Sequence, residues 1–297
     1  MYEAATDMIE QQQGFNLYCH DFSRAFDSVR HDSLLKVIHD NGITGKAGEA
    51  IQNWLVGRTQ YVQIGKGKSK AKVVLASVVQ GSVLGPTLWL LYLETLLRCL
   101  NGRIHSFSYC DDICILKCVK MKEDQEELDA IHKIMLEWSI EYGINWNPTK
   151  IQRLVSGKQY EGDAFFDGVK IEPLDEVEAL GVTIHKNLRS GTMAQKCKQK
   201  AAKITGQVRR NFTYRDDNML KKIFKQFIEP TLYFGSALWH QDSNAVYGPL
   251  DSAVDKFWSL SSDGKRPSDK MPPRKKAMFK DLCYMHLSVS WDTSSTI

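Results

Sequence analysis

Two apolar, β-rich runs in this chain end on acid, and that pattern constrains its fold more than any other feature. FNLYCH runs into Asp21, and HSFSYC runs into Asp111 and Asp112 before the chain continues as ICILK. Adjacent residues on a strand point to opposite faces, but a tight turn turns one or both carboxylates of a pair towards a shared site. Two nearby carboxylates repel, and burial raises the pKa of one of them. A divalent cation removes that conflict, and a hard ion such as Mg²⁺ takes one or two carboxylates together with substrate phosphates. A third carboxylate from a neighbouring strand completes a two-metal site, with ions roughly 3.5–4 Å apart, suited to in-line phosphoryl displacement. Plainer readings stay open: an Asp pair is commonly a surface turn, and Asp21 also suits a helix N-cap before SRAFDSV. Asp27 reads as a structural or capping acid.

The flanking pattern is α+β. Ala4, Ala5, Met8 and Ile9 suggest an opening helix that stops by Gly14, and short amphipathic helices follow at Ser33 and over 47–55. QYVQIG and KVVLAS read as a hairpin turned by GKGKSK. Gly81 to Pro86 form a glycine-rich loop before an apolar helix over 87–100, with Pro86 suited to a first turn. Leu128, Ile131, Met135, Trp138 and Tyr142 step by three and four along one helix face. FFDGVKI and EALGVTI read as further strands. The rest is helical, with one stripe at Met193, Cys197, Ala201, Ile204 and Val208 and another at Leu220, Ile223, Phe224 and Phe227. The expected division is 1–187 mixed, 188–260 helical, and 261–297 a basic, flexible tail.

The net charge of +4 informs only when divided. Residues 1–195 hold 21 Lys/Arg against 25 Asp/Glu, whereas 196–225 hold ten bases against two acids and 264–280 seven against one. Concentrated bases in the C-terminal third suit a polyanion, although a solvated helix face is equally consistent with charge alone. No run approaches the roughly 18 uncharged apolar residues of a membrane span. The acidic start is unlike a secretory signal. Seven cysteines in no disulfide or zinc spacing point to reduced thiols and an intracellular protein, nuclear or cytoplasmic. Cys110, Cys114 and Cys118 recur every four residues in strand-like sequence, which favours core packing over metal binding. Trp54, Trp89 and Trp138 sit on apolar faces and read as buried.

Five motifs in order resemble the reverse transcriptases of non-LTR retrotransposons. DFSRAFDSV from Asp21, followed by His31-Asp32 and Leu34-Leu35, is similar to their motif A. QGSVLGP from Gln80 is similar to motif B, and YCDD from Tyr109 to motif C. Gly143, Asn145 and NPTK ending at Lys150 resemble motif D, and Leu180-Gly181-Val182 the primer grip. Arg209-Arg210 and IFKQFIEPTLYFGSALW resemble the family's thumb. The resemblance covers roughly residues 15–240.

It implies an antiparallel palm sheet backed by helices, then a helical thumb. It also implies an RNA-directed DNA polymerase using two Mg²⁺ ions, with Mn²⁺ as a substitute, an RNA template, a DNA primer and deoxynucleoside triphosphates. Asp21 and Asp111 take the metal-ligand positions and Asp112 that of a supporting acid. Phe26 takes the place of the ring that excludes a 2′-hydroxyl, with core packing as its plainer role. Gln80 and Gly81 belong beside the templating base and the nucleotide, where glycine lets backbone approach a ligand closely. Lys150 stands where a cation meets the leaving pyrophosphate, with simple exposure the alternative. Leu180 and Gly181 belong at the primer end. Lys196, Lys200, Lys203, Arg209 and Arg210 would grip the duplex backbone without reading its sequence.

Val79 stands where the family usually has proline, and Cys110 where it often has alanine. Only 20 residues precede Asp21, so a palm with a remnant of fingers is expected, and nucleotide orientation by fingers can contribute of order 7–11 kcal/mol at the limit. The alternative function is a catalytically inactive descendant that binds nucleic acid. A maturase-like intron protein shares the palm, but nothing points to a splicing partner. Lys265-Arg266 with Arg274-Lys275-Lys276 resembles a split nuclear-import signal, and a flexible tail is the simpler reading.

Overall fold

The computed structural model describes residues 1–160, 162–239 and 243–261. The expected tail, with its import-like bases, therefore falls almost wholly outside the described residues. Chain packing divides the protein into Met1–Val177 and a second unit from Glu178 onward.

In the first unit, α1 (Tyr2–Glu10) leads into β1 (Phe15–His20), then β2 (Phe22–Ser23), α2 (Ala25–Ser28), α3 (His31–Asp40) and α4 (Gly45–Leu55). A long hairpin follows. Its root pairs β3 (Thr59–Gln60) with β6 (Lys72–Val73), and its tip pairs β4 (Gln63–Ile64) with β5 (Gly67–Lys68). The expected turn GKGKSK is thus partly strand, with only Gly65 and Lys66 between the paired residues Ile64 and Gly67. Next come α5 (Leu84–Leu100), β7 (His105–Tyr109), β8 (Asp112–Lys117), α6 (Lys122–Tyr142), β9 (Asn145–Trp146) and β10 (Gln152–Ser156). Two short strands, β11 (Phe165–Phe166) and β12 (Val169–Lys170), form a hairpin before β13 (Pro173–Leu174).

The main sheet has the order β13-β10-β1-β8-β7. Its four principal strands are antiparallel, as expected, and short β13 adds a parallel edge beside β10. Alternation decides its faces. Tyr18, Ile113 and Ile115 join a core with Trp89, Tyr92 and Leu93 of α5 and Leu128, Met135 and Trp138 of α6. Cys19 and Cys114, direct cross-strand partners, belong to the opposite face, with their Sγ atoms 3.3 Å apart. The two acidic strand ends share that face because register carries Asp21 one step beyond His20↔Ile113.

His20 and His132 lie in the helix-side core, each 2% exposed, with ring centroids 5.3 Å apart. Neither ring makes a hydrogen bond of normal geometry. Burial, which outweighs the nearby Phe165 backbone, lowers the His132 pKa to about 4, and burial also places that of His20 well below its ordinary value. A lowered folded-state pKa means that the unfolded chain binds protons first, so stability is lost as pH falls below about 6.5. Urea unfolding of the wild type is expected to lose about 2 kcal/mol through His132 between pH 7 and pH 5, with a further loss through His20. His132→Leu should remove its share and leave that of His20; an unchanged slope would rule out a buried neutral ring at this position.

The second unit begins within the hairpin of β14 (Glu176–Ala179) and β15 (Val182–His185). It continues with α7 (Gly191–Asn211), α8 (Asp217–Ile223), a π-helical turn (Phe224–Ile228), α9 (Glu229–Tyr233), α10 (Ser236–Trp239) and α11 (Asn244–Trp258). Met193, Cys197, Ala201 and Val208 are buried as their stripe implies, with Ile204 packed against them. Phe227 departs from the expected stripe and is 54% exposed, while Ile228 is fully buried. The π turn inserts one residue into the helical repeat and so moves the apolar face along by one position. Among the described residues no helix is long and apolar enough to cross a membrane.

Candidate active site

The strands β7 and β8 are joined by a two-residue turn, Cys110-Asp111, closed by the pair Tyr109↔Asp112. Cys110 adopts φ +56, a left-handed conformation that costs a non-glycine residue roughly 1–2 kcal/mol. The turn is held from beneath. The indole N–H of buried Trp89, on α5, donates to the Cys110 carbonyl at 2.7 Å. The same indole stacks on Phe26 (5.6 Å, 24°) and meets Phe22 edge-on (5.5 Å, 85°). One side chain of the apolar helix therefore ties the turn bearing Asp111 to the segment that follows Asp21.

Asp21 lies directly after β1, and its backbone carbonyl accepts from Asn147 N–H at 2.9 Å. Lys150, at the end of a 3₁₀ turn (Pro148–Lys150), donates to Asp21 Oδ2 at 3.1 Å. The sequence paired Lys150 with pyrophosphate; its position adds a partner that no spacing rule shows. The ammonium is 66% exposed, so the pair contributes little to stability and chiefly sets local charge. Burial, then the charges of Asp111 and Asp21, raise the pKa of Asp112. Asp112 is thus close enough to both Asp111 and Asp21 to feel their charges. Among the described residues no group of three or more His, Cys, Asp or Glu side chains is placed to hold a metal ion.

Of the expected nucleotide-side residues, Phe26 is linked to this turn through Trp89, and Gln80 to the helix of Phe26 through Asp27. Phe26 is half-buried on α2, against Trp89. Gln80 Nε2 donates to Asp27 Oδ1 at 3.0 Å, a role for Asp27 that sequence reasoning missed. Gly81 has φ +79 and open space where a Cβ would stand, so its backbone is accessible to a ligand.

The remaining candidates lie in the second unit. Leu180 (φ +52) and Gly181 (φ +76) form the β14–β15 turn, a primed hairpin connection. A Cβ at position 181 would lie 3.3 Å from the Phe234 ring. Lys196, Lys200, Lys203 and Arg210 follow one face of α7 at intervals of four, three and seven, with Arg209 beside them. Lys200 Nζ lies 5.8 Å from the centroid of that same Phe234 ring, and Lys196 pairs with Glu178 at 3.6 Å. The ring joins the β14–β15 turn to the basic stripe.

The profile of the family described as reverse transcriptase (RNA-dependent DNA polymerase) matches residues 5–184. The chain belongs to that family. It is 23% identical over 234 residues to a putative 115 kDa protein of the type-1 retrotransposable element R1DM of Drosophila melanogaster, covering 76% of this chain and 22% of that protein. It is 25% identical over 197 residues to the RNA-directed DNA polymerase of the mobile element jockey of Drosophila funebris, covering 62% and 21%. This reverse transcriptase chain thus spans about a fifth of the length of these two relatives. Telomerase from Candida albicans, solved in complex with a fragment of telomeric RNA, superposes with a TM-score of 0.50 at 10% identity, covering 89% of this chain and 52% of that one. That likeness supports the mixed α and β palm-and-thumb fold.

Proposed function

We propose that this chain is the palm and thumb portion of an RNA-directed DNA polymerase of the non-LTR retrotransposon type. The observation that supports the reading is the register that sets Asp21, at the end of β1, beside Asp112 at the start of β8, with Phe26 tied through Trp89 to the same turn. Burial and then the like charges of Asp111 and Asp21 raise the pKa of Asp112, and a divalent cation would relieve both effects. Asp21 and Asp111, supported by Asp112, would hold two Mg²⁺ ions, or Mn²⁺ in their place, with phosphate oxygens completing the coordination. Bound there, the ions would neutralise charge developing on the transferred phosphoryl group.

The chain's own residues supply the remaining functions. Lys150 brings a positive charge to Asp21, and its proton is available to a leaving pyrophosphate. Phe26, stacked on Trp89, presents a rigid ring where a sugar 2′-hydroxyl would clash. Gln80 is aimed by Asp27, and Gly81 leaves its backbone open to the nucleotide. Leu180 and Gly181 would position the primer end while Lys196, Lys200, Lys203, Arg209 and Arg210 hold duplex phosphates. The work would be done inside the cell, nuclear or cytoplasmic, where nucleoside triphosphates are available.

Primer extension on an RNA template with deoxynucleotides and Mg²⁺ or Mn²⁺ tests this reading. Template-dependent product that stops on chelation is the expected result. No product with RNA binding intact, even after a family fingers segment is supplied, would instead identify a nucleic-acid-binding descendant.

A further inference from the structure

The division of charge along the chain conceals a third basic element. No Asp or Glu occurs between Glu49 and Glu94, whereas Arg58, Lys66, Lys68, Lys70 and Lys72 do. The four lysines belong to the β3–β6 hairpin, with Arg58 at its root, and every residue from 59 to 73 is exposed. Among the described residues, none of these bases makes an ion pair with a carboxylate within 4.0 Å. Between the paired segments, residues 61–62 face 69–71, a bulge of one residue that reverses the alternation of side chains. The lysines are therefore spread over both faces of the arm. Tyr61 is 52% exposed with the Lys68 ammonium 5.0 Å from its ring centroid, and Val62 (65%) and Ile64 (81%) are also bare.

The arm is rooted in the wall of the candidate site. Arg58 Nη2 donates to the Ser77 carbonyl at 2.8 Å, and Val74 N–H to the Arg58 carbonyl at 2.9 Å. Ser77 N–H then donates to Val29 (2.8 Å) and Val78 N–H to Phe26 (2.9 Å), just before Gln80 meets Asp27. From that root to the turn, seven extended residues reach about 23 Å.

We infer that the β3–β6 hairpin is a binding arm for single-stranded polynucleotide, the template strand on its way to the active site. A phosphate backbone matches the four exposed lysines, which have no acid among them. Unstacked nucleobases match an exposed ring and neighbouring apolar side chains, the combination by which single strands are held without sequence preference. A duplex offers the charge but hides its base faces. The word template rests on the proposed polymerase function; binding of the strand needs neither metal nor the carboxylates.

The test is fluorescence anisotropy on the full chain, without metal or nucleotide, using an RNA–DNA duplex that is blunt or carries an unpaired uridine overhang. The wild type is expected to prefer the overhang. Replacing the four lysines (Lys66→Gln, Lys68→Gln, Lys70→Gln, Lys72→Gln) should abolish the preference and lower the slope of log affinity against log salt by about 0.7 for each phosphate no longer neutralised. Tyr61→Ala should weaken overhang binding about tenfold and leave blunt binding unchanged. Equal affinity of the quadruple variant and the wild type for the overhang would overturn the proposal. So would equal losses on blunt duplex, or phosphatidylserine vesicles bound as tightly as the overhang. Were the quadruple variant to melt early, Tyr61→Ala and single lysine changes would decide the matter. Overhang binding by a chain that extends no primer would sink the proposed polymerase and leave the arm standing.

Discussion

Asp111→Asn is expected to reduce template-directed extension about a thousandfold, the rate equivalent of roughly 4 kcal/mol, while leaving the melting midpoint nearly unchanged. The asymmetry follows from place. Asp111 is half-exposed in a hairpin turn, where an isosteric amide keeps the shape and removes only charge. Whatever activity depends on that carboxylate is lost, and the fold depends on it little. An independent readout checks the geometry. Burial is the main cause of the raised Asp112 pKa and the Asp111 charge adds to it, so the substitution should lower the Asp112 titration in part, measurable by NMR. Full extension by Asp111→Asn would remove the carboxylates from the mechanism. An unmoved Asp112 titration would place the two groups too far apart to share a cation.

Trp89→Ala should be the most damaging change to the fold. It empties a fully buried site between Phe22 and Phe26, at a cost of about 3–5 kcal/mol for an aromatic truncated to alanine. Trp89→Phe separates packing from positioning. The smaller ring fills much of the space but has no N–H for the Cys110 carbonyl, and an unsatisfied acceptor costs about 1–3 kcal/mol. Cys110 is already held in a left-handed conformation, so the turn that carries Asp111 depends on this support. Primer extension at saturating nucleotide should therefore fall further in Trp89→Phe than urea unfolding alone would indicate, with kcat reduced more than KM is raised. Equal activity of Trp89→Phe and the wild type would show that the indole serves packing only.

Much of the site was legible in the residues alone. Strand-forming runs that stop at Asp21 and at Asp111-Asp112 are local signals, and β1 and the β7–β8 hairpin form where those runs lie. The motif order carried the family, which the matching profile bears out. The α6 stripe likewise follows from a repeat of three and four, and Leu128, Met135 and Trp138 are buried as that repeat requires. Phe227 failed because the π turn breaks the repeat locally, and a periodicity argument assumes that it does not break. The basic hairpin was overlooked for a different reason. A net charge of −4 over residues 1–195 averages an acid-free arm with the acidic helix α6.

By itself the sequence determined the family, the candidate residues for its chemistry, which runs form strands and helices, and which face of each helix is apolar. All of these depend on neighbours within a few positions along the chain. Only the tertiary structure decided that Trp89 donates to Cys110, that Lys150 meets Asp21, that Gln80 is held by Asp27, and that one Phe234 ring meets both Gly181 and Lys200. Those partners lie between about 20 and more than 100 residues apart, as with the 129 positions separating Lys150 from Asp21. They are set by strand register and by the way α5 packs on the sheet, which emerge from burying the whole core at once and leave no periodic trace in any single segment.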